Sequence, residues 1–162
     1  MQPSRVTATD FETALAFDFG TRRIGAAFGQ RITATASPLE PIAAKDGIPD
    51  WNLINSLIDT WQPHCLVIGI PLNMDGSISD MARRSRKFAN RLHERFQLPC
   101  FIIDERLTTR EAKEIHHAAG GSNHYRKDPV DSIAARLILE DWFNTDTLFP
   151  SHTPLESLYG IR

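Results

Sequence analysis

Two short runs, Cys65-Leu-Val-Ile-Gly-Ile70 and Phe101-Ile-Ile-Asp104, constrain this chain more than any other feature. Both are apolar without alternation, with Pro63 and Pro71 flanking the first and Pro99 preceding the second. A strand with one face in water alternates, whereas a strand covered on both faces reads as a continuous apolar run. The segment between them, from about Ser79 to Phe96, sets Met81, Phe88, Leu92 and Phe96 at helical spacing. Two doubly buried strands joined by a helix form a parallel crossover, and such strands need helices on both faces of their sheet.

The chain before Cys65 has another rhythm. Leu15, Phe17 and Phe19 alternate with Ala14, Ala16 and Asp18, the period of a strand. Gly20-Thr21 turns the chain into a second strand, Ile24 to Gly29, and Gln30-Arg31 connects to a third, Ile32 to Leu39. Pro41 to Pro49 reads as a loop. A helix follows from about Asp50, its N-cap, carrying Trp51, Ile54, Leu57, Ile58 and Trp61. After Asp104 a helix from Thr108 or Thr109 carries Ala112, Ile115 and Ala119, and a last helix opens at Asp128-Pro129 and runs to about Asn144. The predicted class is α/β: a mixed five-stranded sheet, an antiparallel meander plus two parallel strands, with helices on both faces. The ribonuclease H-like fold has that order. Residues 1–13 read as a tail, 14–144 as one domain, and 145–162 as an irregular C-terminal tail. At 162 residues one domain buries a sufficient core without staples.

Three acidic positions stand out in this frame: Asp18 inside a strand, the pair Asp104-Glu105 where a parallel strand stops, and Asp131 in the first turn of the last helix. Ligands of open α/β sheets collect at the carboxyl ends of the strands. A buried carboxylate is costly unless it is paired, hydrogen-bonded or bound to metal. Carboxylates converging there offer hard oxygen ligands to Mg²⁺ or Mn²⁺. Two such ions ~4 Å apart activate water and stabilise the leaving oxygen of a phosphodiester. Each position also has a structural reading. Asp18 could pair with Arg22, Asp104 could cap a turn while Glu105 pairs with Arg106 or Arg110, and Asp131 could compensate a helix dipole.

Net charge is −2, so no global basic signature points to a polyanion, and local patches decide. Arg83, Lys87, Arg91 and Arg95 recur every fourth residue along the long helix, and Arg22, Arg23, Arg106, Arg110, Arg126 and Lys127 lie near the acidic positions in sequence. Cations around a carboxylate cluster suit a metal-dependent nuclease, although the helix stripe alone equally fits a solvated face. His124 stands in the basic loop before Asp131, where it could move protons. Cys65 and Cys100 open the apolar runs and read as buried, inert thiols. No apolar run reaches membrane-spanning length and the N-terminus has no signal pattern, so a cytoplasmic protein without membrane contact is expected.

Four motifs, in order, carry a resemblance: Phe17-Asp-Phe-Gly-Thr-Arg-Arg-Ile-Gly25; Gly69-Ile-Pro-Leu-Asn-Met-Asp-Gly76; Asp104-Glu-Arg-Leu-Thr-Thr109 with Glu111-Ala112; and Val130-Asp-Ser-Ile-Ala-Ala135 with Ile138-Leu-Glu140. Over roughly Leu15 to Trp142 the chain resembles the YqgF/RuvX family, nucleases similar to Holliday junction resolvases. The resemblance implies a ribonuclease H fold, catalytic metal-binding residues at Asp18, Glu105 and Asp131, and action at the 5′ end of pre-16S rRNA. It is the resemblance that selects Glu105 over Asp104. Arg22 stands where a Lys is common. Two alternatives accompany this expectation: a resolvase acting on branched DNA, which needs a homodimer rather than a monomer to cut two strands, and an assembly factor that binds nucleic acid without cleaving it.

Overall fold

A computed structural model of the chain describes residues 10–105, 130–145 and 147–159. Its strands are β1 (Thr13–Asp18), β2 (Arg23–Gln30), β3 (Thr35–Lys45), β4 (Ile48–Pro49), β5 (Cys65–Ile70), β6 (Cys100–Asp104) and β7 (Phe149–Pro150). Its helices are α1 (Trp51–Trp61), α2 (Asp80–Phe96), α3 (Val130–Phe143) and the single turn α4 (Glu156–Tyr159). The strands form one sheet in the order β4-β3-β2-β1-β5-β6-β7. β1, β2 and β3 pair antiparallel, whereas β5 runs parallel to both β1 and β6.

The described sheet therefore has seven strands, not five. The five long ones follow the expected meander and crossover, and two-residue strands finish both edges. Two residues are too few to show a period. β3 also departs from expectation. It starts at Thr35 and runs on to Lys45, past Leu39, where the strand is expected to end, and through Pro41, which is expected to open a loop. Proline lacks the N–H a ladder needs, but on an outer strand it is harmless where its nitrogen points away from the neighbour. The connection before β3 is four residues, Arg31 to Ala34, with Ala34 at φ 52°.

Among its described residues, the C-terminal segment expected to be irregular joins the fold. Phe149 and Pro150 pair with Ile102 and Phe101, and Leu155 and Leu158 are buried in the main core. The predicted helix after Thr108 lies outside the described residues.

The two faces of the sheet carry different cores. Leu15, Phe17, Leu66, Ile68 and Ile102 pack with Ile54 of α1 and Phe88 and Leu92 of α2. Ala14, Ala16, Cys65, Val67 and Phe101 face α3 through Ile138, Leu139 and Trp142. Capping fixes where helices begin: the Asp50 carboxylate accepts from the Asn52 N–H at 2.9 Å, and the Ser79 hydroxyl accepts from the Ala82 N–H at 3.0 Å. The far end of α3 is held by Arg31, whose Nη1 donates to the Phe143 carbonyl at 3.0 Å. A cation there opposes the negative end of the helix dipole. Burial pushes the thiol of Cys65 upward and that of Cys100 up to about 12, so both stay protonated and inert.

Candidate functional site

The carboxyl ends of β1, β5 and β6 lie side by side, with β5 in the middle. In the parallel ladder Phe17 pairs with Ile68, so Asp18 and Gly69 are the next step on β1 and β5. Gly69 pairs with Ile103, and the ladder continues past Asp104 with the Glu105 N–H donating to the Ile70 carbonyl at 3.1 Å. Alternation then assigns faces. Asp18 has the parity of Ala14 and Ala16, Gly69 that of Cys65 and Val67, and Glu105 that of Phe101 and Ile103. All of these belong to the α3 side.

Glu105 is only 2% exposed, whereas Asp104 is half-buried. Its carboxyl lies on Gly69: a Cβ built there would come within 2.9 Å of both the carboxyl carbon and Oε2. The missing side chain makes the room. Neighbouring strands are ~4.8 Å apart, so the backbones of β1 and β6 are separated by ~10 Å. Glu105 reaches inward across that gap toward the strand that ends in Asp18.

α3 covers the same edge. Its first turn is pinned by the Ser132 hydroxyl, which donates to the Leu39 carbonyl at 2.6 Å. Leu39 pairs with Ala26 and Ala26 with Phe17, so this anchor lies in the row one step from Asp18. Ala134, Ala135, Ile138 and Trp142 are buried along the helix. The side chain of Asp131 lies outside the described residues, as do Arg106, Arg110, Arg126, Lys127 and His124. Among the described residues no three acidic, His or Cys side chains form a metal cluster.

Of the remaining cations, Arg22 and Arg23 are exposed at the β1–β2 turn, and Arg83, Lys87, Arg91 and Arg95 are exposed along α2. That helix covers the opposite face of the sheet from Glu105.

A family model described as RuvX: Holliday junction resolvase matches residues 12–145. The chain belongs to the RuvX family. A relative from Saccharophagus degradans, named "Putative pre-16S rRNA nuclease", is 58% identical over 132 residues, which cover 82% of this chain and 93% of that protein. A Haemophilus ducreyi protein of the same name is 54% identical over 134 residues, covering 83% and 97%. Among solved structures, T. thermophilus RuvC in complex with Holliday junction substrate matches with a TM-score of 0.50 at 11% identity, over 86% of this chain and 99% of that one. At such identity the likeness speaks for the fold alone, a mixed α/β fold of the ribonuclease H type.

One residue at this strand edge, Gly69, carried no role of its own on sequence grounds. It reads as a strand residue, although its place inside an otherwise bulky apolar run was the available signal.

Proposed function

We propose that this RuvX-family chain is a metal-dependent nuclease that hydrolyses phosphodiester bonds at the 5′ end of pre-16S rRNA in the cytoplasm. The observation that carries the reading is the buried Glu105 carboxyl, accommodated by Gly69 at the strand edge where Asp18 also ends. A glycine cradle for a carboxylate suits a site built to present oxygen ligands. The donor set of Asp18, Glu105 and Asp131 is all carboxylate, the chemistry that Mg²⁺ and Mn²⁺ prefer over softer metals. Those three residues would hold the metal, in a pair of ions. When bound, such ions supply an activated water and charge stabilisation at the leaving oxygen.

The chain's own contribution is positioning. Asp18 extends from a rigid central strand, Glu105 is fixed by its ladder hydrogen bond and by burial, and α3 brings Asp131 in its first turn. Arg22, Arg23, Arg83, Lys87 and Arg91 offer cations to the nucleic-acid backbone, joined by Arg106, Arg110, Arg126 and Lys127. The description of the family favours a second reading, resolution of a four-way DNA junction.

The test is cleavage of RNA carrying the precursor 5′ end and, in parallel, of a DNA four-way junction, each in Mg²⁺, Mn²⁺ or EDTA. Metal-dependent cutting of the RNA, lost in Asp18→Asn, Glu105→Gln and Asp131→Asn with unchanged melting temperatures, is the expected result. Cutting of the junction alone would replace the substrate. No cutting of either in any metal, with RNA binding intact, would remove the enzyme and leave a binding factor.

A further inference from the structure

On the face of the sheet away from Glu105, α2 and the turn between β3 and β4 enclose a cleft of about 250 Å³. Phe19, Gly47, Ile48, Arg84, Lys87 and Arg91 line it. Phe19 directly follows Asp18, so the cleft opens at the same strand edge as the candidate carboxylates, on the other side of β1. Arg84, Lys87 and Arg91 stand at i, i+3 and i+7 and share one helix face. α2 as a whole carries six Lys and Arg residues against Asp80 and Glu94.

The three cations are held differently. Arg84 Nη2 donates to the Asp46 carbonyl and to Asp46 Oδ1, both at 3.1 Å, and its guanidinium carbon lies 6.0 Å from the Phe19 ring centre. Lys87 and Arg91 are exposed and make no ion pair among the described residues. Asp46 is 85% exposed and sits in the left-handed region at φ 51°, followed by Gly47 at φ 81°. A Cβ on Gly47 would come within 2.7 Å of Phe19 Cζ and 3.3 Å of Arg84 Nη2. The glycine turn therefore keeps the aromatic floor uncovered. An ion pair this exposed contributes little, so another anion displaces the Asp46 carboxylate at little cost.

We propose that this cleft binds the sugar–phosphate backbone of a single-stranded polynucleotide adjoining the cleaved bond. Lys87 and Arg91 take phosphates, and Arg84 exchanges the Asp46 carboxylate for a third. Asp46 thus holds Arg84 over Phe19 in the free protein and competes with the strand for it. A single strand fits better than a duplex because Phe19 and the exposed Ile48 offer ring and aliphatic surface to unstacked bases, which a duplex keeps inside. The proposal rests on the nuclease reading for what the strand is and where it leads, but its binding step does not depend on cleavage.

The experiment is fluorescence anisotropy of a short labelled single-stranded RNA with the full chain in EDTA, across a salt series. Lys87→Ala with Arg91→Ala is expected to weaken binding roughly tenfold and to flatten the log–log salt slope by about 1.4, two contacts at ~0.7 each for a single strand. Asp46→Asn is expected to tighten binding about threefold, because a competing charge is gone while the turn is kept. Arg95→Ala, on the same helix but stacked on Trp51 at 4.2 Å rather than lining the cleft, is the comparison. An unchanged slope in the double variant, weaker binding in Asp46→Asn, a loss in Arg95→Ala as large as in the double variant, or an equal loss with duplex RNA would each overturn the cleft. Because no cleavage is read, such a failure leaves the nuclease reading standing, while a protein that passes but never cuts removes that reading and keeps the cleft.

Discussion

Gly69→Ala separates packing from chemistry at one position. The residue is extended β5 backbone, a conformation alanine adopts freely, and the loss of unfolded-state entropy alone would stabilise the protein by about 0.4–1 kcal/mol. Sterics oppose this. The new Cβ would stand 2.5 Å from Ile138 Cδ1 and 2.9 Å from the Glu105 carboxyl carbon and Oε2, closer than real Cβ contacts come. Ile138 is fully buried beside Leu139 and Trp142, so its tip has little space to swing into. Overpacking of a close-packed core costs about 1–3 kcal/mol. The balance is a net destabilisation of about 1–2 kcal/mol, which at this chain length lowers the melting temperature by about 2–4 °C per kcal/mol.

Under the nuclease reading, the effect on activity is larger. Relieving the clash on the carboxyl side moves Glu105 by roughly an ångström, and displacement of that size at a catalytic group costs on the order of a hundredfold in rate. Ile138→Val then divides the two effects, because it removes the Cδ1 atom at a cost of its own of about 0.5–1.5 kcal/mol. In the double variant Gly69→Ala/Ile138→Val, the melting temperature is expected to lie above the sum of the single losses, by a coupling of about 0.5–1.5 kcal/mol, while cleavage stays low. The assays are thermal melts and initial cleavage rates on the precursor RNA. Gly69→Ala with an unchanged or raised melting temperature and a rate within twofold of wild type would refute the reasoning.

Two further expectations concern stability alone. Cys65 and Cys100 are pushed above their ordinary value of 9.0 by burial, Cys100 to about 12. Above pH 9 the unfolded chain loses thiol protons that the folded chain keeps, so the stability these thiols contribute is complete below pH 9 and is lost as pH rises toward 12. The wild type should lose up to about 1.4 kcal/mol per pH unit per thiol beyond a Cys65→Ala/Cys100→Ala variant, as read by denaturant melts at pH 8 to 10.5. Equal pH slopes would contradict it. Leu158→Ala removes a buried side chain of α4 and is expected to cost about 2–3 kcal/mol, near the lower end for such truncations because a one-turn helix can shift to fill the space. A melting temperature equal to wild type would mean that α4 does not contribute to the core.

What the sequence revealed follows from how many residues report each feature. β5 and β6 were visible because whole runs are apolar, and α1 and α2 because five and four apolar residues respectively fall at helical spacing. β3 is expected to end at Leu39 because Glu40 and Pro41 are poor strand residues, and only knowledge that the strand lies outside β2 makes them acceptable. β7 and α4 are two and four residues long and owe their shape to the core they meet. Asp18 and Glu105 could be picked out as acids in apolar or strand-end settings, but the feature that joins them, the absent side chain of Gly69, depends on a register between strands. Arg84 and Asp46 are 38 residues apart in sequence, and their pairing is a tertiary fact. A repeat of every fourth residue also drifts 40° per step on an α-helix, whereas the i, i+3, i+7 set of Arg84, Lys87 and Arg91 stays on one face.

The alternation Ala14-Leu15-Ala16-Phe17 links the two faces. On one side the small residues of β1 pack with Ile138, Leu139 and Trp142 of α3, so that helix can approach the sheet closely and its first turn is pinned one row from Asp18. On the other side Phe17 meets Phe88 edge-on with ring centres 6.1 Å apart, and Phe19 lies 5.3 Å from the same ring. Large residues there hold α2 away from the strand end, and the gap between its cationic face and the β3–β4 turn is the cleft. Anions and cations are thereby placed on opposite sides of one strand terminus, close enough to act on one polynucleotide yet separated by the sheet. Were Arg84 and Lys87 on the α3 side, they would neutralise the carboxylates that the proposed metal requires. Under the nuclease reading, a strand bound in the cleft passes over the end of β1 to reach Asp18, and residues 18 and 19 mark the crossing.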